Sequence, residues 1–221
     1  MCLKNISSKS KSDGDAVMYK VFIHPDTCDE NEEAFLVSPF EYTPLTDDIL
    51  SGKAEYAADR RYLPESLYKE ITVISNDKIS NGFVHGYADK RSALKDLYGF
   101  YTSEFTAAAL VKCRIPEGEA YYDGDFDNDE TVRVRATRAV TVERVEEMYV
   151  DRMTEEDHEK YGDYHVFVRK NQSPRRCVAF LKRMYEKTDP WKIENDSVIT
   201  VFSKCMTIEE ASDNLPDLYN Q

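Results

Sequence analysis

Residues 131–147 read TVRVRATRAVTVERVEE, a run in which apolar side chains alternate with charged and polar ones. Alternation with a period of two places the apolar side chains on one face of a β-strand. The run therefore predicts two strands, or one long bent strand. On its N-terminal side, the apolar runs at residues 17–23 (VMYKVFI) and 106–115 (TAAALVKCRI) predict two further strands.

Shorter segments predict the remaining elements. Residues 34–40 predict a second strand, residues 47–61 a helix and residues 83–87 an extended segment. Asp89 predicts the cap of a helix that begins at Lys90 and ends near residue 100, because an aspartate side chain accepts hydrogen bonds from first-turn amides. Ser173 followed by Pro174 predicts the start of a helix at residues 175–187. Residues 164–168 and 197–203 predict two short strands.

Together these elements predict an α+β protein built on a mostly antiparallel sheet with a few helices. After Asp151 the predicted elements change from alternating strands to short helices and strands. Three regions are therefore predicted. Residues 1–16 form a flexible tail, residues 17–150 an α+β core domain, and residues 151–221 a smaller C-terminal α+β lobe that contains the basic helix.

Composition predicts a cytoplasmic protein that has no contact with membranes. No apolar run approaches the roughly 20 residues that a membrane helix needs, and the polar N-terminus lacks the apolar stretch of a secretory signal. The five cysteines are widely spaced and form no CxxC pair, which favours buried thiols in a reducing compartment. We expect no metal and no cofactor.

The net charge of −13 is unevenly distributed along the chain. Residues 21–59 carry about −9 and residues 121–163 about −8, whereas residues 164–187 carry about +6. A negative field repels phosphates and so argues against direct DNA binding. It favours either a solvated surface or an acidic surface that imitates nucleic acid in the basic groove of a partner.

Three stretches together resemble small uncharacterised proteins of phage and prophage genomes. They are YKVF at residues 19–22, GFVHGY at 82–87 and VKCRIPEG at 111–118, and a Val-Arg-Ala strand at 134–136 follows them. The chains of that family carry three motifs in the same order: a YKxF-like strand, a Gly-x-His-aromatic step before a helix, and a VxCxIPxG strand. The resemblance covers residues 17–148 and implies a mobile-element origin, with the host cytoplasm as the location. It implies no particular activity.

The step at residues 82–87 also resembles the ADP-ribosyltransferase fold, in which a strand supplies a polar residue before a helix and a glutamate comes late. That resemblance implies an enzyme or nucleotide-binding protein with His85, Tyr87 and Glu143 as candidate site residues. The first strand departs from the pattern, because no arginine or histidine of that strand faces the expected pocket. The competing interpretation is that His85 and Tyr87 are buried strand residues with hydrogen-bonded polar tips.

Acidic residues alternate in the segment DGDFDNDE at residues 123–130, a pattern that suggests calcium binding. A calcium loop of the EF-hand type needs glycine at its sixth position and glutamate at its twelfth, where this chain has Asn128 and Val134. The segment is therefore interpreted as an acidic hairpin tip. Its candidate interaction residues are Asp123, Asp125, Asp127, Asp129 and Glu130.

The helix at residues 175–187 is basic and amphipathic. Its apolar stripe is Val178, Leu181 and Tyr185, and its candidate interaction residues are Arg175, Arg176, Lys182 and Arg183. These bases either bind an anionic partner or pair with the acidic blocks of the same chain.

The sequence favours a non-enzymatic phage-type protein that binds and inhibits a host protein or protein complex through acidic patches. A host defence system or a nucleic-acid-handling complex is the expected target. The alternative is the ADP-ribosyltransferase-like enzyme or nucleotide binder. The sequence does not predict an oligomeric state.

Overall fold

A computed structural model of the chain describes residues 3–25, 34–39, 43–58, 78–79, 82–94, 105–126, 129–150, 164–169, 173–186 and 198–203. The strands in these ranges are β1 Leu3–Lys11, β2 Val17–Pro25, β3 Tyr56–Ala57, β4 Lys78–Ile79, β5 Val84–Tyr87, β6 Phe105–Arg114, β7 Ala120–Phe126, β8 Asp129–Thr137, β9 Ala139–Val150, β10 Tyr164–Arg169 and β11 Val198–Ser203. The helices are α1 Asp47–Leu50 and α2 Pro174–Glu186, and residues 90–94 are also helical.

The strands form one sheet with the order β11-β10-β9-β6-β2-β5-β8-β7-β1-β4, and β3 pairs with β9 beside this path. Every pairing between these strands is antiparallel. The protein is therefore a strand-rich α+β structure with few helices, as the alternating patterns predict. The long run at residues 131–147 divides between β8 and β9, with a bend at Arg138.

Both faces of the central strands are buried. Met18 and Phe22 of β2 belong to a first apolar cluster, whereas Val21 and Ile23 of the same strand belong to a second. Strand β6 alternates in the same way, because its odd-numbered residues from Ala107 to Cys113 join the first cluster while Ala108 and Leu110 join the second. Period-two alternation of side chains thus serves two cores at once.

Different elements cover the two faces. Residues of α1, α2 and β3 contribute to the first cluster, and Ala93 and Leu94 of the helical segment at 90–94 contribute to the second. Leu3 of β1 and Ile79 of β4, from one end of the strand order, also belong to the second cluster. This half of the sheet therefore curves around the second cluster.

Residues that favour helix N-termini mark the starts of the helices. The Asp89 side chain accepts from the backbone N–H of Ser92 at 2.8 Å and from the Ser92 hydroxyl at 2.9 Å, so the predicted cap at the start of residues 90–94 is present. Thr46 caps α1, and Pro174 occupies the first turn of α2. Among the described residues, the helices are too short or too polar to cross a membrane.

The N-terminus differs from the prediction. Residues 1–16 were predicted to be a flexible tail, but Leu3–Lys11 form β1, which lies between β7 and β4. The turn that follows is fixed by hydrogen bonds, because Ser12 N–H donates to the Glu119 carbonyl and Gly118 N–H donates to the Ser12 carbonyl, each at 2.8 Å. Most residues of β1 are polar, so the sequence shows no apolar face there. The strand is recognised only by its pairing with β7 and β4.

Several shorter predictions also change. The strand predicted at residues 34–40 is reduced to bridges at Val37, and the helix predicted at 47–61 is limited to α1, after which β3 begins. The predicted acidic loop at residues 123–130 lies largely in β7 and β8. The end of the helix that starts at Lys90 falls outside the described residues.

The described C-terminal elements continue the main sheet and its first core. β10 pairs with β9 and β11 pairs with β10, so both strands continue the main sheet. Cys177, Val178, Phe180 and Leu181 of α2 are buried in the first cluster beside residues of β6 and β9. The structure thus gives no support to the prediction of an independent unit at 151–221.

Gly124 permits the close approach of β1 to β7. A Cβ atom at this position would lie 2.5 Å from the Lys4 carbonyl oxygen and 2.7 Å from Leu3 Cδ2. We expect Gly124→Ala to lower the free energy of unfolding by about 1–3 kcal/mol, because overpacking forces the neighbouring backbone to move. Urea unfolding measures the change. The loss should shrink in a Leu3→Ala background, and unchanged stability in the single variant would contradict the placement of β1.

Candidate functional site

Asp123 is held by an arginine on the neighbouring strand. The register places Asp123 of β7 opposite Arg135 of β8. Arg135 Nε lies 2.6 Å from Asp123 Oδ1 and Arg135 Nη2 lies 3.0 Å from Oδ2, so the ion pair is bidentate. Arg135 Nη1 also donates to the Val17 carbonyl at 2.6 Å, and the guanidinium stacks 4.5 Å from the centre of the Tyr121 ring. Asp123 is thus a structural residue of the sheet.

The other predicted acids lie towards one end of the same hairpin. Asp125 is half-buried and lies in register with Lys4 on one side and Arg133 on the other. Asp129 and Glu130 begin β8, because Phe126 pairs with Asp129, while Asp127 lies outside the described residues. Within the described segments, no group of three or more His, Cys, Asp or Glu side chains could hold a metal ion.

His85 is buried, and both of its ring nitrogens face backbone carbonyl oxygens. Nδ1 lies 3.1 Å from the Phe83 oxygen and Nε2 lies 3.3 Å from the Ile79 oxygen. Carbonyl oxygens only accept hydrogen bonds, so whichever ring nitrogen carries a proton donates to the carbonyl that it faces, and the ring lies between β5 and β4. This environment matches the interpretation of His85 as a buried strand residue with hydrogen-bonded polar tips.

Glu143 does not lie beside His85 and Tyr87. Tyr87 is 1% exposed and belongs to the second cluster. Glu143 lies on β9, which the strand order separates from β5 by three steps, or roughly 14 Å at the usual spacing of strands. Its carboxylate pairs with Lys112 at 3.1 Å and with Arg114 at 3.6 Å. The ADP-ribosyltransferase-like arrangement therefore finds no support in this geometry.

A row of ion pairs follows β9 and its neighbours. Besides the Glu143 pairs, Lys90 Nζ lies 2.8 Å from the fully buried Glu147 and 3.6 Å from Glu146. Arg144 Nε lies 2.6 Å from Glu146 Oε1, and this hydrogen bond raises the pKa of Arg144. The row ties the helical segment at 90–94 to the sheet, so it contributes to the structure of the second face.

The burial of Lys20 was not predicted, whereas the burial of Cys113 agrees with the buried thiols that the composition favours. Lys20 is 4% exposed, donates to the His85 carbonyl at 3.0 Å and lies 5.8 Å and 5.5 Å from the ring centres of Phe22 and Tyr56. Its position between Met18 and Phe22 in the alternation is the signal that marks a lysine on a core face. Burial raises the pKa of the Cys113 thiol from 9.0 to about 12, although nearby Lys20 lowers it, so the thiol stays protonated.

The predicted apolar stripe of the basic helix faces the core. Val178 and Leu181 are buried and Tyr185 is half-buried, whereas Arg175, Arg176 and Lys182 are exposed. Arg175 Nη2 lies 2.9 Å from Asp47 Oδ2, which joins the basic helix to the acidic block at residues 21–59. The side chain of Arg183 lies outside the description.

Comparisons with known proteins add no further assignment: no protein-family model, no curated protein and no solved structure matches this chain. The resemblance to phage and prophage proteins therefore stays a prediction from the quoted motifs.

Removal of the Asp123 charge should destabilise the fold. We expect Asp123→Asn to lower the free energy of unfolding by about 1–3 kcal/mol, because the half-buried guanidinium of Arg135 loses a charged partner. Asp125→Asn is the matched control in the same strand and should change stability by less than about 0.5 kcal/mol. Urea unfolding of both variants checks this expectation, and equal losses would contradict it.

The Cys113 thiol should make the fold less stable in alkali. Its folded pKa is about 12, so above pH 9 the unfolded chain loses the thiol proton while the folded protein keeps it. The unfolded state then binds fewer protons, and the free energy of unfolding falls as pH rises, by up to about 1.4 kcal/mol per pH unit from this group. Urea unfolding between pH 8 and 11 under reducing conditions should show a shallower decline for Cys113→Ala. Identical slopes would show that the thiol ionises in the fold.

Proposed function

We propose that the protein is a non-enzymatic binding protein that uses an acidic surface to occupy a basic surface of a host protein or protein complex. A phage-type inhibitor of host defence or of a nucleic-acid-handling complex is the form of this function that the quoted motifs favour. The net charge of −13 supports it, because a basic groove that receives nucleic acid attracts a carboxylate-rich surface by the same field.

The β7–β8 hairpin carries this proposal. The register pairs Phe126 with Asp129, so Asp125, Asp129 and Glu130 lie towards one end of the hairpin, with Asp127 between them in sequence. Lys4 and Arg133 are the registered neighbours of Asp125, so the excess negative charge of this end comes from the other three acids. We call Asp125, Asp127, Asp129 and Glu130 the acidic hairpin end.

Asp123 is paired within the fold, so the acidic hairpin end is better placed than Asp123 to bind a partner. Asp123 is engaged in the bidentate pair with Arg135 and supports the strands. Asp125 and the backbone of Asp129 and Glu130 lie in paired strands, so less backbone entropy is lost when this end contacts a basic partner. The contact would be electrostatic and would weaken as salt screens the charges.

Neutralising the acidic hairpin end should weaken this binding while sparing the fold. We expect the variant Asp125→Asn, Asp127→Asn, Asp129→Asn, Glu130→Gln to bind a fluorescent octalysine peptide at least about fivefold more weakly at 50 mM NaCl, because several surface ion pairs of up to about 1 kcal/mol each are lost. Fluorescence anisotropy measures the affinity. Any host protein that co-purifies from bacterial lysate with the unmodified chain at 50 mM NaCl should be lost with the variant.

The matched control removes the same charge elsewhere. Asp13→Asn, Asp15→Asn, Glu117→Gln and Glu119→Gln lie on the two hydrogen-bonded turns at the other end of β7. This variant should keep its affinity within about twofold, because the local surface and not the total charge determines the contact. Equal weakening in both variants, or no weakening in the first, would overturn the proposal.

A further inference from the structure

The exposed side of α2 has the opposite charge to most of the chain. Its exposed residues include Arg175, Arg176, Ala179 and Lys182, whereas Cys177, Val178, Phe180 and Leu181 are buried against the sheet. We call Arg175, Arg176 and Lys182 the basic helix face. The buried residues fix the rotation of the helix, so the bases face solvent as a consequence of core packing.

The spacing of these bases is regular. Arg175 and Lys182 are seven residues apart, so they lie about 10 Å apart along the axis and about 20° apart around it. Arg176 lies one position further round, and the small side chain of Ala179 lies between them. The result is a stripe two turns long that a second helix can approach closely.

The Asp47 carboxylate contacts one end of this stripe. Arg175 Nη2 lies 2.9 Å from Asp47 Oδ2, and the two side chains remain 62% and 69% exposed. An ion pair this exposed contributes only about 0–1 kcal/mol, so an incoming carboxylate can replace Asp47. The pair shows that a carboxylate can accept a charge-assisted hydrogen bond from the basic helix face.

The charge of the whole chain decides between two classes of anionic partner. Duplex DNA carries one negative charge per about 1.7 Å, so a chain with a net charge of −13 repels it along its length. A short acidic segment of a protein carries a few carboxylates and meets that field only locally. Glutamates at positions i and i+7 of a helix repeat at the same distance of about 10 Å.

We propose that the basic helix face docks an acidic helical segment of a partner protein. Carboxylates on one side of the partner helix contact Arg175, Arg176 and Lys182, and the partner backbone approaches over Ala179. This site is independent of the acidic hairpin end, because it lies on another element and binds the opposite charge. The protein therefore has two recognition surfaces: the acidic hairpin end binds a basic partner, and the basic helix face binds an acidic one.

The test uses the full chain and a fluorescent alanine-based helical peptide with glutamates at positions i, i+4 and i+7. We expect saturable binding at 50 mM NaCl that weakens at 300 mM, and no binding of the same peptide with glutamines in place of the glutamates. Arg176→Gln with Lys182→Gln should weaken binding at least fivefold. Lys11→Gln with Arg138→Gln, which removes two exposed bases elsewhere, should change it less than twofold.

Three results would overturn the proposal: no saturable binding, equal weakening in the two double variants, or tighter binding of a single-stranded oligonucleotide that the first double variant abolishes. The last result would assign the basic helix face to a phosphate backbone. Circular dichroism melting confirms that each variant is folded, and each single substitution gives the same readout if a double variant is not. Neutralising the acidic hairpin end should leave peptide binding intact, so failure here is distinct from failure of the proposed function.

Discussion

The antiparallel pairing of β2 with β6 is the interaction on which the rest of the structure depends. Its register runs from Val17 opposite Arg114 to Pro25 opposite Phe105, with a shift only at the last pair. Both strands carry apolar side chains on both faces, so each face must be covered: β5 and β9 flank the pair, and the helices and the curved end of the sheet close the two clusters. A slip of one residue would exchange the two faces and move Lys20 from one cluster to the other.

This register explains which parts of the fold the sequence predicts well. β2, β6, β8 and β9 are strongly alternating or apolar, and the pattern that shows in the sequence is the pattern that the two cores use. The start of α2 and the cap at Asp89 are equally local, because they depend on side chains within three residues of the amides that they satisfy. Local rules suffice wherever the interaction that decides the structure is also local.

The parts that the sequence does not predict depend on partners far along the chain. β1 has few apolar residues, and its strand comes from pairing with β7, where Lys4 meets Asp125 across more than a hundred residues. The sequence allows His85 to be a site residue or a buried strand residue, and it does not show that the carbonyl oxygens of Phe83 and Ile79 face its ring. Asp123 belongs to an acidic run in sequence, yet the register of β7 against β8 gives it to Arg135. Sequence spacing contains no record of these cross-strand neighbours.

The same reasoning changes what the net charge means for binding. A charge that is held in a bidentate pair, such as Asp123, or buried against a lysine, such as Glu147, is already committed to the fold and is lost to a partner. Charges that core packing turns outward on α2, such as Arg176, remain exposed to solvent. The block totals along the sequence therefore overstate the acidic surface, because they count acids such as Asp123 and Glu147 that are already paired within the fold.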